Sequence, residues 1–227
     1  MPPATRRDAP TRSLTPERVV TEAASIADEL GIDGLSMRLL AERLGVSAMT
    51  PYRFVGSKEQ LLAALADRFM SEVELPASGA WETRVRDVFR SVRLVLLRHP
   101  ALAAIVASQR INGYSSYRGA EIVLAALGEA GLPPETGVSA FASLTAFTVG
   151  FVQREIAHRS GADRPAERAS TVAMLGPAEF PHITGSAEVF LGRDSGRHFE
   201  TGLDLLILGI KAMARDGGRP SMTGAHG

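Results

Sequence analysis

The sequence predicts an all-α protein, on three observations. Apolar residues recur at helical spacing in almost every segment between Thr15 and Arg215. No stretch of useful length alternates apolar and polar residues as a strand does, and the segment ends carry helix start and stop residues. With 227 residues, 45% hydrophobic and 22% charged, the chain can form one large or two small domains with a proper core.

Residues 1–13 are polar and Pro-rich and are expected to be a disordered tail. Thr15 caps the first helix, Pro16 takes its first position and Glu17 follows in the first turn. Val19, Val20, Ala23, Ile26, Ala27 and Leu30 make its apolar stripe, and Gly31 ends it. Ser36 caps the second helix, with Met37, Leu39, Leu40, Ala41 and Leu44 behind it. Gly45 stops that helix because a left-handed residue costs glycine no Cβ clash. Ser47 caps a third helix from Ala48 to about Phe54, in which Pro51 removes the first internal bond and predicts a slightly irregular start. Ser57 with Gln60 forms a capping box for the fourth, which runs from Lys58 into the low seventies with Leu61, Leu62, Leu65 and Phe69 inward.

After the linker Glu74–Gly79, Trp81 to about His99 reads as a fifth helix that Pro100 ends. Ala101–Arg110 is a short sixth, residues 112–116 a loop, and Tyr117–Ala130 a seventh stopped by Gly131 and Pro133. The eighth, Glu135 to about Arg159, is apolar nearly all round. Residues 160–195 are expected to be a long loop with at most a short helix near Ser186–Leu191. A final helix, His198 to about Arg215, carries the run from Leu203 to Ile210, and residues 216–227 are a second disordered tail. The total is about nine or ten helices.

The second and third helices, joined by a turn with Gly, have the helix-turn-helix pattern that sets its second helix in the DNA major groove. Between Ser36 and Lys58 the bases Arg38, Arg43, Arg53 and Lys58 face the single acid Glu42, and Ser47, Thr50 and Tyr52 interleave with them. That mixture suits phosphate contacts plus a few base-edge contacts. Formal net charge is zero, and residues 1–60 hold eight bases and eight acids, so no global field marks a nucleic-acid partner. The signal is local: Glu17, Glu22, Asp28 and Glu29 sit on the first helix, away from the basic turn. The tail's Arg6, Arg7 and Arg12 are either solvated or an arm on DNA phosphate or the minor groove.

The segment from about Leu14 to Leu65 resembles the DNA-binding domain of the tetracycline repressor (TetR) family of bacterial transcription regulators, and the residues that carry the resemblance are VVTEAASIADELGIDGLSMRLLAERLGVSAMTPYRFVGSKEQLLAAL. The carriers are Leu30-Gly31, the Leu-Ala-x-x-Leu-Gly-Val run across the turn, Tyr52 and Lys58. The segments Arg93–Arg110 and Phe199–Met213 are similar to the family's C-terminal dimerisation and ligand domain. The resemblance implies an N-terminal three-helix DNA-binding domain (14–65) followed by a larger helical ligand-binding and dimerisation domain (66–215). It implies a repressor that binds double-stranded, palindromic operator DNA as a homodimer and leaves it when a small-molecule inducer binds. An all-α ligand-binding protein whose helix-turn-helix no longer binds DNA is the alternative.

By that match Arg38, Ser47, Ala48, Met49 and Thr50 face base edges, while Tyr52, Arg53 and Lys58 hold phosphates, Lys58 with help from a helix N-terminus. Ala48 and Met49 cannot form bidentate bonds, so apolar contact with thymine methyls is expected there. The eighth and final helices are too apolar for surface helices with one buried stripe, so two copies of each are expected to form a four-helix dimer seam, with Phe147 and Leu206 in it.

Tetracycline-responsive members grip a magnesium-chelated drug with imidazole and amide side chains. At the matching helix ends this chain is read as carrying Met70, Val88 and Val106, none able to ligate a hard cation. The expectation is a metal-free pocket for a small apolar or aromatic molecule, with no cofactor. Met70, Val85, Val88, Phe89, Val92, Val106, Phe147 and Phe151 would line it, with Gln109, Arg110, Tyr114 and Tyr117 supplying polar contacts.

Other chemistries find little support. Without cysteine there is no disulfide framework or thiolate metal site. Glu155–His158 and Glu179–His182 both have the E-x-x-H spacing of di-iron bundles, but Pro181 breaks the second, and a solvated helix end and a loop are expected. No enzyme is predicted. No signal peptide is visible, and the charge-free run Thr136–Gln153 is rich in Ser and Thr, so a buried helix of a cytoplasmic protein is expected rather than a membrane span.

Overall fold

The structure is a computed structural model that describes residues 14–108, 113–161, 164–191 and 195–215; the two tails lie outside them. Among these residues are twelve helices and no strand. They are α1 (Pro16–Gly34), α2 (Met37–Leu44), α3 (Tyr52–Val55), α4 (Lys58–Met70), α5 (Trp81–Arg98) and α6 (Pro100–Ser108). Then come α7 (Tyr114–Glu129), α8 (Pro134–Arg159), α9 (Pro165–Ala173), α10 (Pro181–Gly185), α11 (Ala187–Leu191) and α12 (Ser195–Arg215).

Local chemistry explains the starts in the first sixty residues. The hydroxyls of Thr15, Ser36 and Ser57 accept the backbone N–H groups of Arg18, Leu39 and Gln60 at 3.3, 3.2 and 3.2 Å. These are the orphan donors of a helix's first turn. Gly31, at φ 72° and ψ 173°, leaves helical geometry and breaks α1 where the sequence places its end; one further short helical piece carries the element on to Gly34.

Two apolar clusters hold the molecule. The first joins Val19, Ala23 and Ile26 of α1 and Leu40 of α2 to Leu61, Leu65 and Phe69 of α4, and continues through Leu96, Leu102 and Ile105 to Val152 of α8. The core therefore runs across the boundary expected near Leu65. The second packs Val85, Val88 and Phe89 of α5 with Val123 and Leu127 of α7, Leu144 of α8, and Phe199, Leu203 and Ile207 of α12. By length and composition α8 could cross a membrane, yet here it packs against α5, α6, α7 and α12.

Three expectations are corrected. Residues 160–195 contain three short helices, α9 to α11, where one was expected at most. The start of α3 is a run of turns from Ala48 to Pro51, so the regular helix begins only at Tyr52; Pro51 has no N–H to donate. Glu155 is not solvated: it is 5% exposed and takes Arg93 Nε and Nη2 at 3.1 and 2.9 Å, Arg159 Nη2 at 2.9 Å and Ser195 Oγ at 3.0 Å. It is therefore the anchor of an ion-pair network joining α5, α8 and α12, not half of a metal site.

Candidate DNA-binding face and ligand cavity

The turn between α2 and α3 is built by Gly45, left-handed at φ 69°. Its N–H donates to Glu42 O at 3.1 Å, and that of Val46 to Ala41 O at 3.0 Å, which closes the end of α2. Past the turn the Ser47 and Thr50 hydroxyls bond each other at 2.8 Å. Arg38, Ser47, Ala48, Met49, Tyr52, Arg53 and Lys58 are all exposed, Met49 to 70%, and Thr50 is half-buried. Arg38, Arg53 and Lys58 make no ion pair among the described residues, so their charge faces outward. Arg43 differs. It pairs with Glu29 and lies 3.9 Å from Glu22, and so pins α2 to α1 instead of serving the outer face. Beside Lys58, the Glu59 carboxylate is held below its ordinary range by the backbone N–H of its own residue and the Ser57 hydroxyl.

Behind this head, α4 enters the body alongside a cavity of about 430 Å³. Six of the expected residues stand in its wall: Met70 from α4, Val88, Phe89 and Val92 from α5, Val106 from α6 and Tyr117 from α7. Four do not. Val85 is wholly buried in the second cluster. Phe147 and Phe151 turn to α12, with ring centroids each 5.5 Å from that of Phe199. Tyr114, at the first position of α7, is 76% exposed. Gln109 and Arg110 lie outside the described residues.

The rest of the wall comes from Val73, Leu96, Gly119, Ala120, Val149, Phe141 and the hydroxyl residues Ser115, Ser116, Thr145 and Thr148. Spacing and composition could not single these out. α8 is apolar on every side, so periodicity cannot say that Phe141, Thr145 and Thr148 face the cavity while Phe147 and Phe151 face α12.

Besides the apolar packing of the first cluster, two contacts tie α4 to the body. Asp67 Oδ1 accepts the backbone N–H of Ser115 at 2.7 Å and so caps α7 from another helix. As a result α7 begins at Tyr114, a turn earlier than expected. Below it, the His99 ring stacks on Phe69 with centroids 4.0 Å apart. Its nitrogens lie 3.3 Å from Asp28 Oδ1 of α1 and 3.2 Å from Glu72 Oε2 just past the end of α4. Burial tends to raise the Glu72 carboxyl, but hydrogen bonds from His99 and Arg98 outweigh it and leave Glu72 below the ordinary carboxylate range.

A helix-turn-helix face on one end of a helix, with an apolar cavity against its other end, defines a DNA-binding regulator that answers to a small molecule. Residues 19–65 match the family described as bacterial regulatory proteins, tetR family, and residues 75–214 match the tetracyclin repressor-like C-terminal domain. The chain belongs to the TetR family and is a ligand-responsive DNA-binding transcriptional repressor. It is 32% identical to the HTH-type transcriptional repressor DrrR1 of Streptomyces coeruleorubidus, over 90% of this chain and 80% of that one. It is 30% identical to the class D tetracycline repressor protein of Escherichia coli, over 87% and 89%. In structure it is similar to apo ActR of Streptomyces coelicolor, with a TM-score of 0.82, 31% identity, and 89% and 97% of the two chains covered.

Proposed function

We propose that the chain represses as a homodimer joined through α8 and α12, acts in the cytoplasm, and reads a palindromic operator with Arg38, Ser47, Ala48, Met49, Thr50, Tyr52, Arg53 and Lys58. A largely apolar or aromatic molecule entering the cavity without a metal ion releases it. The observation that carries this reading is the cavity itself, an apolar space with α4 forming part of its wall. The supports on its wall are chemical. Met70, Val88 and Val106 are a thioether and two alkyl groups and do not suit a hard cation such as Mg²⁺. Among the described residues no three His, Asp or Glu side chains are grouped to hold a metal. ActR, 30% identical, has been seen in complex with actinorhodin and with (S)-DNPA, which supports a cavity ligand in this fold.

The dimer reading is supported by what the subunit leaves uncovered. Val138, Ala142, Ala146 and Gly150 make an exposed stripe on α8, and Leu205, Leu208, Gly209 and Ala212 one on α12. Leu205 and Leu208 are 66% and 62% exposed. Small and aliphatic residues on two long helices suit a two-fold seam. A ligand that binds better when α4 is swung outward shifts the dimer away from the spacing of successive major grooves.

Operator DNA in a mobility-shift assay, titrated with a ligand library with and without EDTA, tests the reading. Release that is indifferent to EDTA is expected. Release by magnesium-tetracycline alone, abolished by the chelator, would restore a metal-dependent site.

A further inference from the structure

We propose that the cavity selects a neutral ligand bearing a carbonyl or hydroxyl oxygen, and that the hydroxyls of Ser116 and Thr148 recognise that oxygen. This rests on the cavity being the ligand site. Among the described residues three buried side-chain polar atoms find no hydrogen-bond partner in the protein: Ser116 Oγ, Thr148 Oγ1 and Arg84 Nε. The first two belong to residues of the cavity wall, one on α7 and one on α8. Thr148 is completely buried.

Its neighbours on α8 show that this is not the habit of the helix. Ser139, Ser143 and Thr145 each donate to the carbonyl four residues back, at 3.0, 2.9 and 2.9 Å. A hydroxyl in a helix normally closes on that carbonyl. Thr148 does not, which leaves its donor for another partner. A buried hydroxyl without a partner lowers stability, and a hydrocarbon filling the cavity would leave both hydroxyls in that state. A ligand oxygen relieves whichever hydroxyl it reaches, and one placed between the two can serve both, since a carbonyl accepts two bonds and a ligand hydroxyl both donates and accepts.

Charge is decided by the same wall. None of its described residues is ionisable at neutral pH: the polar members are Ser115, Ser116, Tyr117, Thr145 and Thr148. Among the described wall residues an ionised ligand finds no counter-charge, and burying it unpaired is far more costly than burying a neutral oxygen.

The test compares 9-fluorenone with fluorene, which share one ring skeleton and differ in a single oxygen, by equilibrium dialysis against the full chain. Transfer from water alone favours the hydrocarbon, so a preference for the ketone reports the hydroxyls. The wild type should bind fluorenone at least about tenfold more tightly, in the range of one or two neutral hydrogen bonds. The Ser116→Ala/Thr148→Val double variant should bind the two within about twofold, with the fluorene affinity kept. Thr148→Ser should retain the preference, and 9-fluorenone-2-carboxylate should bind most weakly of all. Equal binding of the two probes by the wild type, or a preference that survives in the double variant, overturns the proposal and leaves the cavity reading intact. Failure of both probes to bind overturns the cavity reading, and this proposal with it. Thr148→Val should melt no lower than wild type; a lower midpoint would mean that the hydroxyl has a partner in the folded protein, and would also overturn it.

Discussion

Asp67 and Ser115 are 48 residues apart in the chain and joined by one hydrogen bond of 2.7 Å, from the Ser115 backbone N–H to Asp67 Oδ1. Gly113, beside them, lets the helices meet. A Cβ there would stand 2.2 Å from Asp67 Oδ1 and 2.7 Å from Asp67 Cβ. Asp67 sits on the helix that follows the DNA-binding head, and Ser115 to Tyr117 stand in the cavity wall. A ligand that disturbs the start of α7 should therefore act on α4 through this bond as well as through the packing around it.

Gly113→Ala should push α4 and α7 apart, because the added carbon meets a Cβ and not only a flexible tip. Operator affinity should fall in the absence of any ligand. Asp67→Ala should bind cavity ligand within a few-fold of wild type but need more of it to release DNA. Fluorescence anisotropy of labelled operator reads both, and wild-type behaviour in both variants would contradict the coupling.

On the DNA face, Arg38→Ala should cost about 1–3 kcal/mol and relax specificity at one position of each half-site. Lys58→Ala should weaken all sequences alike and flatten the salt dependence. Competition binding at several salt concentrations separates the two effects. Unchanged affinity in both variants would mean that the face is misassigned.

The subunit structure moves the seam test from the residues the sequence suggested. Phe147 is stacked on Phe199 inside the subunit and Leu206 is half-buried against the second cluster, so a charge at either should disturb folding. Leu205→Glu and Leu208→Glu, on the uncovered side of α12, should instead give folded monomers with little affinity for operator. Sedimentation with circular dichroism distinguishes these outcomes, and folded dimers from both variants would exclude α12 from the seam.

Removing the anchor of the buried network should be costly. Glu155→Ala leaves Arg93 part-buried over the Phe199 ring without its carboxylate. A loss of about 3–5 kcal/mol is expected. Denaturant unfolding measures it; a midpoint equal to wild type would contradict the network's role.

The sequence revealed what is decided within a few residues and missed what is decided across the fold. Thr15, Ser36 and Ser57 cap donors three residues ahead, and Gly45 ends its helix by its own backbone, so the head could be read directly. The start of α7 could not, because its cap comes from Asp67 on another helix. Nor could the direction of Phe141 against Phe147, since α8 lacks the continuous polar face that would orient it. Glu155 reads as a polar helix end until Arg93, 62 residues away, is placed against it.

A ligand in the cavity should change the separation of the two recognition faces, and the absence of native cysteine makes this directly measurable. A single spin label at an Arg53→Cys site gives one label per subunit, and pulsed electron paramagnetic resonance gives the distance across the dimer. With 9-fluorenone or another cavity ligand at saturation, the distance distribution should shift, and should shift equally in EDTA. A distribution that stays in place while the ligand is bound would contradict the account.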